Sequence, residues 1–167
     1  MANIFERPKS GTLSAEEIDK WYLNVAIEVA EENVLNGTGG PFGAVIITPD
    51  NLIFASGNSV TTTNDPTAHA EVNTIRLACQ ELGTFDLSGC VLYSSCEPCP
   101  MCLGASLWSR VDRVVFSADR YQAAAAGFDD AAFYEKLAAG NVAQQIILPN
   151  SNHPFEEWKT FSNRIDY

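Results

Sequence analysis

The chain has 167 residues, 46% of them apolar, and its 21 acidic against 10 basic residues give a net charge of −11. That size suits one globular domain with its own core, and no run of 18 apolar residues is present to cross a membrane as a helix. The charge argues against a nucleic-acid partner, which would require clustered Lys and Arg to displace counterions from phosphates, and leaves a small or neutral substrate.

Residues 1–13 read as a loose arm, and MANIFERPKSGTLS lacks the charged-then-apolar layout of a signal peptide. Five cysteines in no disulfide framework point to a reducing, cytoplasmic setting. Ser14 and Glu17 form the S-x-x-E pattern of a capping box. Ile18, Trp21, Tyr22, Val25 and Val29 then recur at helical spacing until Gly37 stops the run. The segments PFGAVII (41–47) and LIFASGN (52–58), joined by TPDN, predict a hairpin of two strands.

A second helix is predicted over 71–82, a third strand over 90–95, and a third helix over 99–109 that starts near Pro98. A fourth strand follows over 113–118, then a helix over 129–140, a fifth strand at QQIILP (144–149) and a closing helix over 154–165. From the third strand onward, strands alternate with helices. That order favours parallel crossovers and a sheet covered on both faces. The expectation is a single domain over 1–167, a three-layer α/β/α sandwich around a five-stranded mixed sheet.

SSCEPCPMC (94–102) places Cys96, Cys99 and Cys102 three residues apart, with Pro98 and Pro100 flanking Cys99. Proline is tolerated in the first turn of a helix, where N–H groups are unpaired anyway. The two prolines therefore put Cys99 and Cys102 one turn apart at a helix N-terminus, where the helix dipole favours thiolates. Cys96 falls on the strand side and reads as a buried structural thiol. Of the two histidines, His153 beside Pro154 reads as a loop residue, and His69 stands in DPTAHAEV.

His69 and Glu71 are two apart, which inside a helix points them to different sides. They converge only on a point beyond the helix end. Two helix N-termini facing each other beyond the carboxyl ends of the strands would enclose one ion. One His and two Cys are three ligands, one short of a structural zinc site; a catalytic zinc keeps the fourth place for water and makes hydroxide available from it near neutral pH. Glu71, not a ligand, is the candidate proton carrier.

H-A-E at 69–71 with P-C-P-M-C at 98–102 resembles the H-x-E…P-C-x-x-C signature of the zinc cytidine and nucleobase deaminases. The stretches GGPFGAVI, TTTNDPTAHAEV, SSCEPCPMCLGA, AGFDD and the ending PFEEWKTFSNRIDY resemble the bacterial guanine deaminases within that family. The resemblance implies the cytidine deaminase-like fold, one zinc per subunit held by His69, Cys99 and Cys102, and hydrolysis of guanine to xanthine and ammonia. Glu71 would move the protons. Asn58 would hold the base through an amide that both donates and accepts.

A carboxylate suited to guanine's N–H edge is expected in AGFDDAAFYEK. Asp130 is the family match, Glu135 is a second candidate and is also suited to assist proton transfer, and the alternative for Asp129 or Asp130 is to cap the following helix. Phe42, Trp108 and Ala70 are candidates to wall the ring. In the resembling family the C-terminal segment, here 150–167 with Tyr167, folds over the active site, often from the partner of an intertwined homodimer. Alternatives are a deaminase of the same fold acting on a nucleoside, cytosine or tRNA adenosine, and a non-catalytic structural zinc or iron–sulfur protein. A ferredoxin-like run would require a fourth cysteine where Ser106 stands.

Overall fold

The structure, a computed structural model, describes residues 13–140 and 142–167. All but Leu13 of the expected N-terminal arm lies outside the described residues.

Helix α1 (Ala15–Leu35) opens on the expected capping box: the Ser14 N–H donates to the Glu17 carboxylate at 2.7 Å, and the Glu17 N–H donates to Ser14 Oγ at 3.3 Å. It ends at Asn36, and Gly37 turns the chain at φ +64°. Strands β1 (Gly43–Ile47) and β2 (Ile53–Gly57) form the antiparallel hairpin. A single helical turn, α2 (Val60–Thr63), leads to α3 (Ala70–Leu82). Then follow β3 (Val91–Cys96), α4 (Pro100–Trp108), β4 (Arg113–Ala118), α5 (Arg120–Ala125), α6 (Asp130–Ala138) and α7 (His153–Thr160).

The sheet runs β2-β1-β3-β4, with β1 antiparallel to both its neighbours and β3 parallel to β4. Side chains of a strand alternate between faces. Val45 and Ile47 pack with Tyr22, Val25 and Ala26 of α1 on one side. Ile46, Phe54 and Leu92 pack with Ala78 of α3 on the other. The three expected layers are therefore present.

The sheet has four strands, not the expected five. QQIILP (144–149) joins no ladder among the described residues. Its apolar, β-prone composition suits a strand, but a strand exists only against a partner edge, and within this one chain Ile146 and Ile147 stand 75% and 77% exposed. The closing helix is shorter than the pattern suggested, because Phe161 takes an extended backbone. Helix α5 was not expected, although its Asp119/Gln122 capping box is a local signal. The zinc-motif helix begins at Pro100 rather than near Pro98, which makes Cys99 its N-cap.

Two devices of the α1 layer position the site. The Asn33 side-chain amide donates to the carbonyls of Gly40 at 2.8 Å and Asn58 at 2.7 Å, and its Oδ1 accepts from Thr38 at 2.6 Å. One buried side chain thus ties α1 to the loop before β1 and to the end of β2. At Gly43 the backbone of α1 comes so close that a Cβ would sit 2.3 Å from the Ala26 carbonyl oxygen.

Asn33→Ala takes the donor from the Asn58 carbonyl and one of two donors from the Gly40 carbonyl, and is expected to lower stability by about 1–3 kcal/mol. Gly43→Ala must force β1 away from α1, at a cost of about 1–3 kcal/mol or more. Denaturant titration reads both; two midpoints equal to wild type would show that α1 does not carry this geometry.

Candidate active site

Residues at N-cap positions normally use a side-chain oxygen to satisfy an N–H of the first turn. The N-caps of α3 and α4 are His69 and Cys99, both with extended backbone, and neither side chain makes a capping hydrogen bond. Instead they turn toward each other. His69 Nδ1 lies 3.7 Å from Cys99 Sγ and 3.5 Å from Cys102 Sγ, and the two sulfurs are 3.6 Å apart.

Tetrahedral zinc with ordinary bond lengths would set its ligands at about 3.8 Å for S···S and about 3.6 Å for N···S. The three side chains match that spacing within a few tenths of an ångström. No other group of three or more His, Cys, Asp or Glu with this proximity occurs among the described residues. The pattern therefore brings together the three ligands that the sequence suggested. Cys96 stands apart: it is buried, its thiol donates to the Asp119 carbonyl at 3.7 Å, and burial pushes it up to about 11.

The thiol pair is polarised. The contact between the two sulfurs, with His69 beside them, holds Cys99 well below the usual thiol range. Cys102 is pushed upward by the same contact with Cys99 and by burial. His69 is raised chiefly by its hydrogen bond with Cys99.

Glu71, in the first turn of α3, is only 6% exposed. Ser94 Oγ donates to its Oε1 at 3.1 Å, and the Cys102 thiol to its Oε2 at 3.4 Å. Burial raises its proton affinity above that of an ordinary glutamate. Ser94 was not singled out in the sequence; its place on β3, 23 residues from Glu71, left no local signal.

A cavity of about 320 Å³ opens onto this cluster. Its lining includes Phe42, Asn58, His69, Glu71, Cys99 and Asp130. Asn58 is buried, and its Oδ1 accepts from the Gly40 and Val60 N–H groups at 3.3 and 3.1 Å. Its side-chain NH₂ donates to no group among the described residues. Ala70 is fully buried at the start of α3. Asp130 begins α6, and burial together with the nearby Cys99 charge raises its proton affinity. Asp129 occupies the N-cap of α6 without a side-chain capping bond, so neither acid is used up as a cap.

Phe128, Glu97 and Phe133 also line the cavity and were not foreseen. Phe128 meets Phe42 edge-on at 4.7 Å between ring centres. Three sequence candidates are placed elsewhere in the single chain. Glu135 is exposed on α6 outside the cavity lining. Trp108 and Tyr167 pack on each other at 5.9 Å and line a separate pocket with Phe85 and Asp166.

Residues 16–118 match the family model for the cytidine and deoxycytidylate deaminase zinc-binding region. The chain is 46% identical over 151 residues to guanine deaminase of Bacillus subtilis (strain 168), covering 87% of this chain and 97% of that protein. It superposes on an X-ray structure of guanine deaminase from Bacillus subtilis with a TM-score of 0.82 at 43% identity, covering 93% of this chain and 99% of the other. A guanine deaminase structure from Nitrosomonas europaea gives a TM-score of 0.63 at 33% identity, covering 74% and 70%. The tRNA-specific adenosine deaminase of Haemophilus influenzae is 37% identical over 120 residues, covering 68% and 69%. With the zinc ligands, the buried glutamate and the sheet all in the matched region, the chain belongs to the zinc-dependent cytidine and deoxycytidylate deaminase family.

Proposed function

We propose that the chain hydrolyses guanine to xanthine and ammonia. The observation that carries this reading is the cavity itself, whose lining includes Asn58 and Asp130 together with Glu71, His69 and Cys99. Its volume is at the small end for ligand sites and suits a single base. The high-identity relative is a guanine deaminase matched over most of both chains, whereas the Haemophilus influenzae tRNA deaminase matches 68% of this chain. A net charge of −11 also disfavours a tRNA substrate.

His69, Cys99 and Cys102 would hold zinc, which would supply a Lewis acid able to make hydroxide available near neutral pH. Glu71 does the proton work: it takes a proton from the attacking water, gives it to the ring nitrogen, and helps the amino group leave as ammonia. A carboxylate lifted by burial holds a proton long enough to deliver it. Ser94 keeps the carboxylate oriented. Asn58 donates to the base's carbonyl, Asp130 accepts from its N–H edge, and Phe42 and Phe128 cover the ring. The sum is one C–O bond formed, one C–N bond broken, and water consumed.

We also propose a homodimer in which the C-terminal segment, residues 150–167, closes the site of the partner. Three features support it. The outer edge of β4 has no strand neighbour among the described residues. Ile146, Ile147 and Leu148 are exposed, as are Phe155 and Phe161. Tyr167 is remote from the cavity of its own chain. No helix among the described residues is long and apolar enough to cross a membrane, and a cytoplasmic setting is proposed from the free cysteines.

Glu71→Gln is expected to keep the fold and zinc while losing about 10²–10⁴-fold in turnover. Ammonia release from guanine measures it, beside guanosine, cytosine, cytidine and tRNA; faster release from any of those than from guanine would sink the substrate assignment. Cys99→Ser and Cys102→Ser should lose zinc by metal analysis and Cys96→Ser should retain it. Zinc occupancy should also drop as pH falls from about 7 to 5, because the ligands bind protons instead. For the exchanged tail, co-refolding Glu71→Gln with an inactive Tyr167→Ala variant should restore activity, since each mixed dimer then contains one intact site. No recovery would rule out the exchange.

A further inference from the structure

Helix α6 carries Asp130 but buries none of its residues, so core packing does not set its seat. Its polar link to the metal loop is Tyr134, whose hydroxyl donates to the Pro98 carbonyl at 2.7 Å. Pro98 directly precedes Cys99. Tyr134 follows Asp130 by four residues, and side chains so spaced share one helix face. The Tyr134 ring is held in turn by Arg120, whose guanidinium carbon lies 3.5 Å from the ring centre, a cation–π contact. The same guanidinium forks onto Glu97, with Nη2 at 2.5 Å and Nε at 3.0 Å, and the Arg120 backbone N–H adds a third bond at 3.0 Å. Glu97 stands between Cys96 and Pro98, and its N–H donates to the Ala118 carbonyl at 2.7 Å.

We propose that Glu97, Arg120 and Tyr134 form a positioning clamp that fixes Asp130 at a set distance from the metal loop, and so sets the fit of the base. The proposal rests on the reading of Asp130 as the acceptor for guanine. The clamp also engages Glu97 with a cation. Of the acids that line the cavity, Glu97 is thereby withdrawn from substrate and Glu71 serves the proton transfer, which leaves Asp130, with Asp129 beside it, to receive the N–H edge.

The test is a double-mutant cycle of Tyr134→Phe with Asp130→Ala, in the zinc-loaded enzyme. Tyr134→Phe removes one hydroxyl and keeps the ring under Arg120. It should lower kcat/KM for guanine roughly tenfold, the size of one net hydrogen bond, chiefly through KM and with unchanged zinc content. In the Asp130→Ala background it should change kcat/KM by less than about twofold, because both act through one group. A second readout needs no substrate: amide exchange over 130–138 should accelerate in Tyr134→Phe. Unchanged exchange, or effects that multiply in full, would overturn the clamp. Wild-type turnover of Asp130→Ala would instead overturn the reading of Asp130, and the positioning role with it, even where exchange accelerates.

Discussion

The structure is organised around a concentration of negative charge that cannot exist without a cation. Cys99, Cys102 and Glu71 are buried together, with Asp130 at the cavity edge and His69 as the nearest group able to carry positive charge. Like charges this close and this dry cannot all ionise. The contact between the two sulfurs holds Cys99 down and pushes Cys102 up. A divalent ion removes that conflict by making both sulfurs thiolates, and it inverts the local preference for protons. The fold supplies further help, because α3 and α4 both present their N-terminal dipole ends to the same point.

This arrangement has a local cost. Two helices begin with His69 and Cys99 where Ser, Thr or Asp would cap them, a sacrifice of about 1 kcal/mol each. Pro100 softens it for α4, since its φ is preset for a first turn and it has no N–H to satisfy. For α3, Asn73 braces the entry: its side-chain NH₂ donates to the carbonyls of Gly57 and Ala68 and to Ser59 Oγ. The segment from the end of β2 to His69 is thereby fastened to the helix it leads into. Metal binding then adds free energy that the apo fold lacks.

Much of this was legible in the sequence because its signals are local. The Ser14–Glu17 box, the hairpin turn and the proline pair around Cys99 each act within a few residues. The zinc set was legible in spacing and motif together: His69 and Glu71, two apart, reach one point only off a helix end, and the prolines put Cys99 and Cys102 one turn apart at another. Ser94, Asn33, Phe128 and Tyr134 escaped notice because their partners lie far along the chain; Tyr134 meets Pro98 across 36 residues. Asp130 stood ahead of Glu135 only through the family resemblance, and the phase of α6 adds to that, with Asp130 in the cavity lining and Glu135 exposed outside it. The fifth strand was misjudged for the opposite reason. Its residues have strand character, yet pairing is a property of two segments, and no edge among the described residues receives it.

The same geometry bears on which base the site can hold. Asn58 is not free to present either end of its amide, because Oδ1 is taken by the N–H groups of Gly40 and Val60. What remains for a ligand is a donor. Asp130, in the same lining, is purely an acceptor when ionised. A base that fits must therefore show an acceptor toward Asn58 and donors toward Asp130, and guanine does so through its ring carbonyl and its N–H edge. Adenine carries an amino donor where guanine carries that carbonyl. Two donors would then face each other. An unpaired buried polar group costs about 1–3 kcal/mol, and a site built on such pairing rejects the mismatched ligand more strongly than shape alone does. Selectivity then traces back to Asn33: by accepting its amide protons, the carbonyls of Gly40 and Asn58 hold the loop whose N–H groups orient the Asn58 side chain.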